Sequence, residues 1–218
     1  MADDSDEGKN QSRGPHDASR RRFLKGVGIA GAGAALADQL LIEAQAQDTK
    51  PKDVRTLSGN VDVTLNVNGQ RRKAKVEPRT TLLSALRDHL EPAVTGPKLV
   101  CDMGTCGACT VLLDGKSAYS CLVLAVDATA RQITTVEGLG GPDAMNAVQT
   151  AFVDKDALMC GFCTPGFVTT ISAYLKKNPN PSLDQVREAC KGNFCRCGTY
   201  PRVFEAALAA AKSVNRES

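Results

Sequence analysis

Tryptophan is absent from this 218-residue chain, aromatic residues make up 4% of it, and histidine occurs twice. These shortages exclude several kinds of chemistry. Single-stranded nucleic acids are held by aromatic side chains set among basic ones, and no Lys/Arg cluster here is interleaved with aromatics. With 27 Lys/Arg against 24 Asp/Glu, the net charge of +3 is too mild to point to a polyanionic partner. Only His89 lies outside the first 46 residues, so no HExxH motif or histidine-centred base can be assembled. There is no phosphate-cradling P-loop, and acids such as Glu77, Asp102 and Glu137 form no paired constellation for acid–base work. No apolar run is long enough for stable insertion into a bilayer. The residues left to carry chemistry are nine cysteines.

The first 46 residues do not read as part of a fold. Met1–Asp17 is acidic, polar and unable to bury enough surface to order itself. Ser19-Arg20-Arg21-Arg22-Phe23-Leu24-Lys25 then precedes a weak apolar run, GVGIAGAGAALADQLLI, interrupted by Asp38. Ala44-Gln45-Ala46 is a small-x-small cleavage pattern. Together these resemble a twin-arginine (Tat) signal peptide, with Arg20 and Arg21 as the pair and cleavage after Ala46. A basic tail before an amphipathic helix would fit the arginines but leaves Ala-x-Ala unexplained. The Gly-x-Gly spacings in the run follow no strand, so they are not a dinucleotide site. The Tat resemblance implies export to the periplasm of a chain already folded, which suits a protein that must receive a cofactor before leaving the cytoplasm.

After a linker over residues 47–60, the cysteines divide the chain. Cys101, Cys106, Cys109 and Cys121 lie in a half that reads as β with one helix, residues 61–138. VDVTLNV alternates apolar and polar, Asn68-Gly69 is a primed-type hairpin turn, and RRKAKVE returns. Leucines 82, 83, 86 and 90 fall on one face of a helix over Thr80–Leu90. A strand, a turn at Asp114-Gly115, a short return and RQITTVE complete a β-grasp, ferredoxin-like order. Cys160, Cys163, Cys195 and Cys197, with Cys190 left over, lie in a helical half, residues 139–213. Its helices are expected over Ala144–Val153 and Phe167–Leu175, from a Ser182/Gln185 capping box to about Ala189, and onward from Pro201. Val136–Ala144, rich in glycine, reads as the join, and residues 214–218 as a tail. The expected fold class is α+β: a β-grasp domain followed by a four-helix bundle.

Cys101-x4-Cys106-x2-Cys109, with Cys121 further on, is the plant-type [2Fe–2S] spacing. Three thiolates on one tight loop surround a cluster only if the backbone curls and turns its N–H groups inward. Gly104 and Gly107 allow that, and the N–H groups would then donate to sulfur. Zinc sites favour two C-x2-C pairs, and this set has one such pair plus two singles. Disulfides between cysteines so close on one loop would be strained. The second set, Cys160-x2-Cys163 with Cys195-x-Cys197, suits zinc and iron–sulfur about equally on spacing alone.

The combination is more specific. CDMGTCGACTV, then CGFCTPGF, then GNFCRCGTYPRV resemble, in that order, the iron–sulfur subunit of the xanthine oxidase family of molybdenum hydroxylases, including periplasmic aldehyde oxidoreductases. The resemblance runs from about Val61 to the last helix. It implies that Cys101, Cys106, Cys109 and Cys121 hold an outer [2Fe–2S] cluster. Cys160, Cys163, Cys195 and Cys197 would hold an inner one, with Cys197 also touching the pterin. It further implies a large partner subunit carrying molybdopterin, in the cytosine dinucleotide form, and FAD in a third subunit or a cytochrome c as acceptor. Substrate chemistry, on an aldehyde or N-heterocycle, would sit in the partner. Two positions depart from the family pattern. Met159 stands where Gln commonly meets the pterin, which puts that contact in doubt. Gly198-Thr199-Tyr200 replaces Thr-Gly-Tyr, which we expect to alter only a local turn. A free-standing two-cluster carrier is the alternative function, although such a carrier needs no helical half facing a pterin. A non-redox exported protein stapled by zinc or disulfides is the third.

Overall fold

The computed structural model describes residues 56–217; the leader, its cleavage site and most of the 47–60 linker lie outside the described residues. Val61–Val67 (β1) and Gln70–Val76 (β2) pair antiparallel through the Asn68-Gly69 turn, whose φ angles of 53° and 79° are those of a primed hairpin. The alternation in β1 does what it predicts: Val63, Leu65 and Val67 are buried while Asp62 and Thr64 face solvent.

The expected helix at 80–90 is present but wound in two ways. Leu82–Ser84 (α1), capped by the Thr81 hydroxyl accepting from the Ser84 N–H at 3.2 Å, runs into a π-helical turn at Ala85–His89. Leu82, Leu83, Leu86 and Leu90 are all buried, as their spacing requires. Pro92 bars any continuation. Thr110–Leu113 (β3) and Lys116–Tyr119 (β4) form a second primed hairpin at Asp114-Gly115. Gln132–Thr134 (β5) then enters between β1 and β3, giving the order β2-β1-β5-β3-β4. It runs parallel to β1 and antiparallel to β3. Leu65, Val67, Leu82, Leu86, Val111 and Ile133 pack as the core of this half.

Four helices follow. Ala147–Asp154 (α2) opens on a capping box between Asn146 and Gln149, and Leu183–Ala189 (α4) on the one expected between Ser182 and Gln185. Thr164–Leu175 (α3) starts directly after Cys163, with Pro165 in its first turn, and Tyr200–Glu217 (α5) starts with Pro201 in its own. Phe167, Ile171, Val186, Val203 and Ala206 are fully or almost fully buried between them. The architecture is therefore α+β, a mixed sheet with its helix followed by a helical half.

Residues 57–217 form one compact unit, and the glycine-rich join is not slack. Asn68 exchanges hydrogen bonds with Thr135 at 2.9 and 3.0 Å, and the Gly96 N–H donates to the Glu137 carboxylate at 2.6 Å. From the other side the Gln149 amide donates to the carbonyls of Val136 and Gly140.

Candidate metal centre

All nine cysteines are free thiols, and eight of them meet in pairs at two loop clusters. In the first, the Cys101 and Cys106 thiols interact, and the sulfurs of Cys109 and Cys121 lie 3.4 Å apart, well beyond disulfide length. Cys106, Cys109 and Cys121 are buried and Cys101 is half-buried. The loop winds through positive φ at Asp102, Gly104 and Gly107, which turns its N–H groups towards sulfur. Met103 and Thr105 donate to Cys101, Ala108 to Cys106 and Gly104 to Cys121. The Thr105 hydroxyl and these N–H groups hold the Cys101 thiol down at about 6, while burial pushes Cys106 and Cys121 up.

In the second cluster Cys160 meets Cys197, and Cys163 meets Cys195. Here the edge is open: Cys160 and Cys197 are exposed, Cys163 is half-buried and Cys195 is buried. The Phe162 N–H and the Cys197 thiol lower Cys160, whereas burial and Cys195 push Cys163 up to about 12. Burial would raise Cys195, yet hydrogen bonds from Thr199, with Cys163 and Gly198, outweigh it and hold the thiol at about 7. The Gly198-Thr199 order, which sets a hydroxyl at position 199, therefore bears on more than a turn. Thr199 Oγ1 lies 3.2 Å from the Cys195 sulfur, and the Cys195 N–H donates to the Tyr200 hydroxyl at 2.8 Å.

This donor set fits [2Fe–2S] chemistry. A two-iron centre takes two thiolates at each iron, and each cluster offers two thiol pairs ringed by inward N–H donors. Cys190 caps α4, buried in the helical core that Cys163 and Cys195 also border, with its thiol pushed up to about 12 by burial alone.

The two clusters meet back to back. The Phe194 N–H donates to the Cys106 carbonyl at 2.9 Å, and the Asn193 amide donates to the Gly107 carbonyl at 3.0 Å. A Cβ on Gly107 would lie 2.4 Å from the Gly192 carbonyl, and one on Gly166 would lie 2.4 Å from the Gly107 carbonyl. Glycine at both positions is what lets α3 and the 190–194 loop close on the first cysteine loop. Tyr119 adds a hydrogen bond from its hydroxyl to the Gly192 carbonyl at 3.0 Å. Sequence reading missed Asn193, Tyr119 and Gly166, whose partners lie tens of residues away and leave no local pattern.

Large apolar side chains stand exposed around both loops: Val100, Met103 and Leu122 at the first, and Leu158, Met159 and Phe162 at the second. Met159 is 64% exposed and lines a cavity of about 410 Å³ with Leu158, Gly198, Thr199 and Arg202, beside Cys197.

Comparison with known proteins agrees with the two-cluster geometry. Residues 65–133 match a 2Fe-2S iron-sulfur cluster binding domain, and residues 135–208 a [2Fe-2S] binding domain. The chain is 42% identical over 161 residues to the nicotine 6-hydroxylase small subunit of Paenarthrobacter nicotinovorans, covering 74% of this chain and 96% of that relative. It is 38% identical to the aldehyde oxidoreductase iron-sulfur-binding subunit PaoA of Escherichia coli O157:H7, covering 92% of each. Among solved structures, a chain of quinoline 2-oxidoreductase from Pseudomonas putida 86 superposes with a TM-score of 0.68 at 43% identity, covering 73% of this chain and 98% of that one. Aldehyde oxidoreductase from Desulfovibrio gigas gives a TM-score of 0.67 at 35% identity, covering 72% of this chain and 18% of that longer one.

Proposed function

The chain belongs to the iron–sulfur subunits of the xanthine oxidase and aldehyde oxidoreductase family of molybdenum hydroxylases, and we propose that it relays electrons from a molybdopterin centre in a large partner subunit to an acceptor in the periplasm. The substrate class is an aldehyde or an N-heterocycle. The acceptor is FAD in a further subunit, cytochrome c or another carrier. Cys101, Cys106, Cys109 and Cys121 ligate the outer cluster, and Cys160, Cys163, Cys195 and Cys197 the inner one. When bound, each [2Fe–2S] cluster supplies one-electron chemistry, turning a two-electron oxidation in the partner into single-electron steps.

The chain's own residues set the conditions for that relay. Buried Cys106, Cys109 and Cys121 keep water from the first site, and the inward N–H groups offset the negative charge of the thiolates. The open edge at Cys160 and Cys197, rimmed by Leu158, Met159 and Phe162, suits coverage by the partner that holds the pterin, in its cytosine dinucleotide form. Met159 brings only a weak acceptor to that edge, so the pterin contact a glutamine would make comes from the partner, a water or backbone near Cys160. Export through Arg20 and Arg21 in folded form accords with clusters built in the cytoplasm.

The observation that carries this reading is the hydrogen bond from Phe194 to Cys106. It joins a first-set cysteine to the residue directly before Cys195, so the two sets abut as a relay needs. The test is purification of the native complex with metal analysis. Molybdenum co-purifying with iron is expected; iron in a chain that never associates with molybdenum would favour a free-standing carrier.

A further inference from the structure

The segment 95–98 sits between the two cysteine loops and touches both. Arg87 holds it by donating to the carbonyls of Thr95 at 3.1 Å and Pro97 at 2.8 Å, and Glu137 holds it through the Gly96 N–H at 2.6 Å. At its end the Lys98 N–H donates to the Ala108 carbonyl, next to Cys109, at 3.0 Å. The Lys98 ammonium, steadied by a 2.8 Å hydrogen bond to the Thr95 carbonyl, lies 5.9 Å from the centroid of the Phe162 ring, between Cys160 and Cys163. That distance is within the range of cation–π attraction. One residue thus binds the first loop by its backbone and the second by its side chain. Its ammonium is held beside the second loop while its backbone is tied to the first.

We propose that Lys98 is a positioning residue whose fixed positive charge raises the electron affinity of both clusters. This rests on the cluster ligation set out above. A reduced cluster carries one more negative charge than an oxidised one, so a nearby cation stabilises the reduced state. Lys98 is a half-buried residue whose ammonium hydrogen bond is open to solvent, so added salt screens the interaction. No electron need pass through Lys98.

The test is redox titration of the full, cluster-loaded protein, followed by paramagnetic resonance, for wild type, Lys98→Met and Lys98→Arg. Lys98→Met keeps the aliphatic stem and removes the charge; Lys98→Arg keeps both the charge and the contact with the ring. Iron content should equal wild type in all three. Both clusters of Lys98→Met should become harder to reduce, the gap from wild type should narrow with added salt, and Lys98→Arg should restore the wild-type potentials. Unchanged potentials in Lys98→Met, an equal shift in Lys98→Arg, or loss of iron in Lys98→Met alone would each overturn the proposal. A wild-type protein with no paramagnetic signals would instead count against the cluster assignment itself.

Discussion

Replacing Gly107 with alanine probes the contact between the two cysteine loops, and Gly115→Ala supplies its control. Both glycines have positive φ, 67° and 77°, so each substitution carries a left-handed penalty of roughly 1–2 kcal/mol. At Gly115 the new methyl meets nothing within 4 Å. At Gly107 it would lie 2.4 Å from the Gly192 carbonyl and 2.7 Å from the Asn193 amide nitrogen, and backbone cannot yield as a flexible side-chain tip can. Overpacking of this kind costs about 1–3 kcal/mol. Pushing the loops apart also strains the Asn193-to-Gly107 and Phe194-to-Cys106 hydrogen bonds, each contributing about 1 kcal/mol. The expected loss is about 3–5 kcal/mol for Gly107→Ala against roughly 1–2 for Gly115→Ala. At this chain length that corresponds to a fall in apparent Tm on the order of 10 °C for the first and a few degrees for the second. The assay is thermal melting of both variants at one scan rate, followed by visible absorbance for cluster loss and by circular dichroism for the fold. Equal melting of Gly107→Ala and Gly115→Ala would refute the claim that the loops close tightly at this point.

Cys190→Ala should leave iron content unchanged, because the eight other cysteines complete two sets; loss of either cluster's signal would show the ligand assignment to be wrong. Met159→Gln should keep both clusters and the association with the large partner, since Met159 adjoins a ligand without being one and its exposed side chain contributes little to packing. Its turnover or inner-cluster potential should change only modestly; loss of the inner cluster would reveal a structural role, and no change in either quantity would mean that the residue does not face the pterin. Replacing Arg20 and Arg21 together with Lys should strand a folded, cluster-loaded precursor in the cytoplasm, because the guanidinium pair and not the bare charge is read. Fractionation of the cells measures this, and unimpaired export would defeat the Tat reading.

The parts of the structure legible in the sequence are those that local physics dictates. Asn68-Gly69 and Asp114-Gly115 announce their hairpins because a primed turn needs positive φ at both central residues. The leucines of α1 and the Ser182 capping box follow from helical spacing and from unsatisfied N–H groups at a helix start. Asn146 and Gln149 form a capping box of the same kind, so α2 starts at Ala147, three residues later than apolar spacing alone suggests. The π-helical turn after Ser84 and the parallel entry of β5 beside β1 leave no such mark, because both depend on packing between distant segments. The cysteine sets are legible for a chemical reason: thiolate ligands must recur at spacings the loop can wrap. The brace between them depends on Asn193, Tyr119, Glu137 and Lys98, ordinary residues whose partners are chosen by the fold.

Iron, labile sulfide and zinc determined on the purified protein, with paramagnetic resonance after reduction, test the central claim most directly. Two sets of four cysteines predict about four irons and four sulfides per chain, negligible zinc, and two distinguishable [2Fe–2S] signals. Stoichiometric zinc in a colourless protein, or a single signal with about two irons, would contradict it.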